Sequence, residues 1–460
     1  MKHEDTIAGR MARWFDARHD HGPFAAGPEG RRLARLAIAD TLGCLNAGRM
    51  DETVRHVAAV AGAPGPAWLV TGGSVDPAMA AMVNGTAAHA LDYDDNFAPG
   101  MSHASAVIVP ALLAVCDMGR PGRDLVDAYL VALQAQAFVG AGVGQGHYAA
   151  GWHGTSTVGS VGTAAGVAFL LGGDTEALRR ALTLACSFAS GTKGQFGTPA
   201  KPFHAGLAAR NAVEAARLAL QGLEGSPVAF EGPQGFAEMF QGPSTPGYDA
   251  GVIDATTRHV IETAGVVPKL HPCCGSTHFI IDAISDIRAE RALPVDEISA
   301  IEVRVGIANR RNLPYACPED EMQARFSMNY CVAVALRKGA LTLDDFTPSS
   351  VRLQREDPLL ARLNMTSWSA AEEAAAGEDT RLPHQVRLHL GSGEVIAAER
   401  CFPRGDLRDP FPDAAMRAKF LACCGHAPWA EAVHDWLLDL DAAADLRRCA
   451  PLFGRSDAPR

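Results

Sequence analysis

From about residue 5 to residue 265 nearly every segment reads with the period of an α-helix, and many of these segments are alanine and glycine on all sides. Arg31–Leu45 places Leu33, Leu36, Ala37, Thr41 and Leu42 on one face, and the chain changes direction near Gly48. Asp124–Gln134, Ser160–Leu171, Glu176–Ser190 and Ala205–Gln221 follow the same period. A helix without a polar face belongs in an interior, and small residues let its neighbours approach closely. The pattern therefore predicts a large bundle with buried central helices, in which most glycines serve packing.

The character changes near Pro268. Ile298–Val305 alternates with period two, and Gln385–Ala398 reads as a hairpin around Gly391-Ser-Gly393. Ser327–Leu336 reads as a helix between them, and Thr347–Leu353 as a further strand. Helical pattern resumes over Asp413–Cys424 and Trp429–Leu440, so the end of the chain is expected to rejoin the first domain. The fold class expected is mainly α: a large all-helical domain from residues 1–266 with 406–460, and a smaller α+β domain over 267–405. A length of 460 residues suits two or three domains of about 150 residues each.

Forty-one basic residues against 52 acidic ones leave a formal charge of −11, a poor match to nucleic acid. The opening Met1-Lys-His-Glu-Asp-Thr6 has no apolar core of a signal peptide. The longest apolar runs are broken by Pro110 or by Gly159, Gly162 and Gly166, short of the ~18 residues of a membrane span. A soluble cytoplasmic protein without membrane partners is the expectation. The 11 cysteines form no regular framework, and the adjacent pairs Cys273-Cys274 and Cys423-Cys424 lack zinc-ribbon spacing. Reduced thiols and no metal site are expected.

Four loops hold an unusual share of reactive side chains. The first runs from Ala88 to Ser105, with Asp92, Asp94 and Asp95 close together and His103 eleven residues after Asp92. The second, Gly146–Thr157, contains Tyr148 and His153, with Thr155 or Ser156 placed to cap the next helix. Lys201 and His204 lie at a helix entry in the third, Gly194–Gly206. The fourth, Lys269–His278, carries Cys273, Cys274 and His278. Each is a Gly/Pro loop entering a helix, where exposed N–H groups favour anions. Taken singly, these residues have bland explanations. Aspartates cap helices, lone histidines satisfy cores or face water, lysines such as Lys193 sit in solvent, and free cysteines pack.

Sharper motifs fare worse. Asp92-Tyr-Asp-Asp95 spells the DxDD acid motif of class II terpene cyclases, but only 7% of residues are aromatic, too few to line a carbocation cavity. An Asp-rich magnesium site would need a second acidic cluster facing the first. Gly151–Gly159 lacks the Lys-Ser/Thr end of a P-loop, and the chain has neither a GxGxxG after a strand nor a GxSxG elbow.

In this order the segments resemble the MmgE/PrpD family, which contains 2-methylcitrate dehydratases, cis-aconitate decarboxylases and iminodisuccinate epimerases. The matching pieces are Asn84–Asp95 with Ser102–Ser105, then Gly151-Trp-His153, Lys201–Gly206 with Ala208–Asn211, Pro272–Cys274 with His278, and Arg325–Ala333. The resemblance implies a large helical domain built from both chain ends, a smaller α+β lid, and usually a homodimer. It also implies cofactor-free chemistry on small di- or tricarboxylates in a cleft between the domains. Carried over by position, the catalytic residues would be Asp92, His103, His153 and Lys201. Substrate contacts would come from Asn96, Tyr148, His204, Cys274 and His278. Family members often have threonine or serine where this chain has Asn96, and proline where it has Ala104 and Gly154.

Dehydration, decarboxylation and epimerisation of such acids share a carbanion-like state beside a carboxylate. That state needs an acid and a base working near neutral pH, for which histidine suits best. His103 and His153 are the expected pair, Asp92 orients an imidazole, and Lys201 binds a carboxylate or steadies enediolate charge. A lyase is the leading expectation, an epimerase the runner-up, and a carboxylate binder without catalysis the third.

Overall fold

The computed structural model describes residues 2–21, 26–241, 248–376 and 381–455, with the side chains of 17–21 excepted. The chain divides into two compact units, one of residues 1–194, 200–268 and 412–460, the other of residues 195–199 and 269–411.

The first unit is built from α1 (Ile7–His21), α2 (Pro28–Gly48), α3 (Glu52–Ala59), α4 (Pro77–His89), α5 (Ala104–Val115), α6 (Gly122–Ala149), α7 (Val158–Leu170), α8 (Thr175–Ala185) and α9 (Ala200–Leu220). Helices Asp413–Cys423 and Ala430–Leu438 belong to it as well. Pro77 opens α4 behind an Asp76 cap, and Pro28 opens α2, both at positions where the missing N–H costs nothing. Residues 104–114 of α5 are all buried, and in α7 Phe169 alone is not. These are the all-round apolar helices that the alanine and glycine content implies.

Glycine sets the closest approach. A Cβ on Gly85 of α4 would meet the Gly206 backbone of α9 at 2.9 Å, and one on Gly206 would stand 2.1 Å from the Met82 carbonyl. The contact brings the end of α4 alongside the start of α9, which is where the reactive loops lie.

Three expectations are corrected in this unit. It is not wholly helical: β1 (Pro64–Trp68) pairs antiparallel with β2 (Ser74–Val75). The Pro-Gly-Pro opening of β1 carries no alternating pattern. Pro110 and Gly159, Gly162 and Gly166 do not interrupt their runs but lie inside α5 and α7. Finally, α6 is 28 residues long, and by length and composition it alone among the described helices could cross a membrane; 89% of its apolar stretch is buried within the protein, as in a core helix.

In the second unit β3 (Ile298–Val305), β4 (Leu363–Ser367), β5 (His384–Leu390) and β6 (Val395–Arg400) form one sheet in the order β4-β3-β5-β6. The β3–β4 pair is parallel and the others antiparallel. Helix α10 (Gly275–Glu290) packs on β5 and β6 and against α11 (Met328–Lys338). The segment expected to be a strand at 347–353 is instead α12 (Pro348–Gln354). Thr347 caps it by accepting from the Ser350 N–H, and Pro348 fixes its first turn. The fourth strand is β4, whose burial alternates but which is only five residues long, too short a run for its period to stand out in the sequence.

Candidate active site

After α4 the chain turns sharply. Asp92 adopts a left-handed backbone with φ of 49°, a conformation that aspartate tolerates better than most residues. Met101 repeats it at 49°, two residues before His103. Between them the loop is pinned twice, by the Phe97–Ser102 backbone pair (2.7 and 3.1 Å) and by the Asn96–Val267 pair (2.8 Å each way). The His103 N–H donates to Thr155 Oγ1 at 3.0 Å. Thr155 therefore does not cap its own helix; it fixes the first residue before α5.

The Gly151–His153 segment is held in turn by Gly191–Lys193. His153 N donates to the Gly191 carbonyl at 3.1 Å, and Lys193 N to the Gly151 carbonyl at 2.8 Å. Helix α9 presents Lys201 and His204 from its first turns. Asp92, His153, Lys201 and His204 are all buried, and the His103 side chain is 13% exposed.

Contacts within this cluster are direct. Lys201 Nζ donates to Asp92 Oδ1 at 2.9 Å, and His103 Nε2 lies 3.8 Å from the same oxygen. His103 Nδ1 is 2.8 Å from the Asp95 carbonyl and 3.3 Å from Asp94 Oδ2. His153 Nδ1 meets His204 Nδ1 at 3.0 Å. The His103 and His153 ring centres are 6.4 Å apart. Four side chains from three separate loops thus converge, which local patterns alone could not establish.

Two groups that sequence reasoning left out of the site belong to it. His89, from the last turn of α4, faces both oxygens of Asp94 at 2.9 and 3.0 Å, and its ring centre is 4.3 Å from that of His103. Asp94 therefore bridges two imidazoles. The available signal was spacing: His89 precedes Asp92 by three residues, about one helical turn.

Charge states follow from the surroundings. Burial pushes the His153 pKa well down, aided by the Lys201 ammonium and by His204, so His153 is neutral. Burial likewise lowers His89, and takes His204 to about 4. For Asp94 burial works upward, but His89 and His103 outweigh it and hold the carboxyl well below its usual range. Asp95 goes the other way: burial raises it to about 7, Ser105 opposes, and Asp94 and Asp40 add.

The remaining expected residues have partners of their own. Asn96 is half-buried and spends its backbone on the Val267 pairing. Half-buried Tyr148 receives Lys193 Nζ over its ring at 3.4 Å. Cys274 and His278 are buried in the second unit, where Cys274 precedes α10 and His278 Nε2 lies 3.2 Å from the Cys273 carbonyl. Cys273 was read as a packing residue. Burial works to raise its thiol, but Cys331, His278 and His271 overcome that and hold it well below the usual thiol range.

Donor atoms also gather in a way the sequence did not foretell. One ring nitrogen from each of His89, His103 and His153 lies within 4.8 Å of the others, and a second such set is His89, Asp92, Asp94 and His103.

Comparison with known proteins adds an independent line. Residues 24–249 match the MmgE/PrpD N-terminal domain and residues 271–439 the MmgE/PrpD C-terminal domain. Cis-aconitate decarboxylase of Mus musculus is 26% identical over 397 residues, covering 82% of this chain and 78% of that protein. The Homo sapiens enzyme of the same name is 29% identical over 308 residues, 63% of this chain and 61% of its own length. That of Aspergillus terreus is 24% identical over 452 residues, covering 93% of this chain and 91% of the relative.

Proposed function

The chain belongs to the MmgE/PrpD family, and on that premise we propose that it is a cofactor-independent lyase that removes carbon dioxide from a small unsaturated tricarboxylic acid. The observation that carries the reading is the buried convergence of Lys201, Asp92, His103 and His153. The substrate class is that of cis-aconitate, the acid in the names of the relatives.

The chemistry needs a cation for the charge that develops and an acid for the carbon. When the C–C bond to the departing carboxylate breaks, its electron pair delocalises towards a remaining carboxylate as an enediolate. Lys201 is the group suited to hold that charge, because a fixed ammonium in a dry site acts far more strongly than in water. Asp92 keeps the ammonium in place. His103 stands between Asp92 and Asp94, two carboxylates that stabilise its imidazolium, and it delivers a proton to carbon. His153, neutral through burial, donates or accepts a hydrogen bond at the substrate; loss of carbon dioxide removes no proton from the acid and so needs no base. The relatives named above are decarboxylases; they support release of carbon dioxide and lend nothing to an epimerase.

The test is a panel of cis-aconitate, 2-hydroxy tricarboxylates and amino dicarboxylates, followed by carbon dioxide release and proton NMR. Cis-aconitate is expected to lose one carbon dioxide per molecule. His103→Ala and Lys201→Ala should each turn over at least ~100-fold more slowly while folded. Water loss without carbon dioxide would make the protein a dehydratase. Inversion at an α-carbon would make it an epimerase, and no turnover of any acid would leave a binder.

A further inference from the structure

His89, His103 and His153, all in the first unit, come together as metal-binding histidines do. A histidine that ligates through Nε2 usually has its Nδ1 tied to a carboxylate or a carbonyl, which fixes the ring and its tautomer. Two of the three follow this rule, His89 Nδ1 facing the Asp94 carboxylate at 2.9 and 3.0 Å and His103 Nδ1 the Asp95 carbonyl at 2.8 Å, while His153 Nδ1 instead meets the His204 ring at 3.0 Å. The His89 side chain is fully buried against the rings of His103 and His153, and its Nε2 has no hydrogen-bond partner among the described residues. A buried ring nitrogen left in that state is costly unless something occupies it.

We propose that His89, His103 and His153 form a binding site for a divalent transition-metal ion of the zinc class, and that the bound ion switches off proton transfer by taking the nitrogens that carry it. The switching clause rests on the lyase reading; the binding clause does not. Three neutral nitrogen donors suit zinc, which takes three protein ligands and leaves a fourth position open. Magnesium and calcium prefer oxygen donors and are disfavoured. Local charge is favourable, since Asp92 and Asp94 together outnumber the single Lys201 ammonium. Zinc takes a histidine in its neutral form, so a proton on a ligating ring would leave to solvent on binding.

Titration calorimetry of chelator-stripped full-length protein with zinc chloride and with magnesium chloride tests the site. One zinc per chain and no magnesium is expected, with His89→Gln and His153→Gln each weakening zinc at least ~10-fold. Cobalt(II) at the same site should lack a thiolate charge-transfer band, which separates it from the buried cysteines. If both variants unfold, the cobalt spectrum of the unaltered chain decides. Zinc should also abolish turnover, and a chelator should restore it. Absent zinc binding, affinity unchanged in both variants, or a thiolate band would overturn the site; zinc binding without inhibition would overturn the switch. Turnover without zinc binding would leave the lyase reading standing. Zinc binding by a protein that turns over no acid would do the reverse.

Discussion

Asp94 and Asp95 are neighbours with opposite chemistry. Asp94 stays ionised against its burial because two imidazoles face it, whereas burial holds a proton on Asp95 up to about pH 7. Asp94→Asn should therefore cost at least ~100-fold in kcat by loosening His89 and His103 together. Asp95→Asn resembles the neutral acid already present and should cost less than ~5-fold at pH 6. Steady-state kinetics on the two variants checks the contrast, and equal losses would contradict it. At this scale Asp92, His103, His153 and Lys201 were legible as residue types in helix-entry loops. His89 was not, because a histidine among alanines at a helix end reads as core until its ring is seen on Asp94.

Among the elements, α4 and α9 decide whether the site exists. Alanine normally favours a helix over glycine by about 1 kcal/mol. At Gly206 the added Cβ would instead meet the Met82 carbonyl at 2.1 Å and Thr86 Oγ1 at 2.3 Å. Gly206→Ala should destabilise the protein by about 3 kcal/mol in urea denaturation and lower kcat by displacing Lys201 on the same helix. An unchanged urea midpoint would mean that the helices can part without cost. The helices were readable because their period and small residues persist over many turns. Thr347–Leu353 misled because valine and leucine at alternate positions suggest a strand, while Thr-Pro at its head starts a helix. Leu353, exposed at 77%, shows that no sheet face was there to bury it.

For the molecule as a whole, acid is the predicted weakness. His147, His204 and His384 are each held at about 4 by burial, against about 6.5 when unfolded. Between these values the unfolded chain binds more protons, so stability falls as pH falls through the window. Asp95 opposes, because its folded value near 7 exceeds the unfolded one and its stabilisation is lost as pH rises from about 4 to 7. Three histidines outweigh one aspartate, so the urea midpoint should be lower at about pH 4.5 than at about pH 7. The helices near the chain end were legible in their pattern, but the anchor of the first of them was not. Lys419 Nζ pairs with Asp40 at 2.7 Å and donates to the Tyr93 carbonyl at 2.7 Å, beside the aspartates of the site. A lone lysine on a C-terminal helix carries no sign of such a partner. The most direct test of proton delivery within this cluster is turnover of cis-aconitate in D₂O followed by proton NMR. One solvent deuteron bound to carbon per carbon dioxide released is expected, with both lost together in His103→Ala; carbon dioxide release at the normal rate by that variant would contradict it.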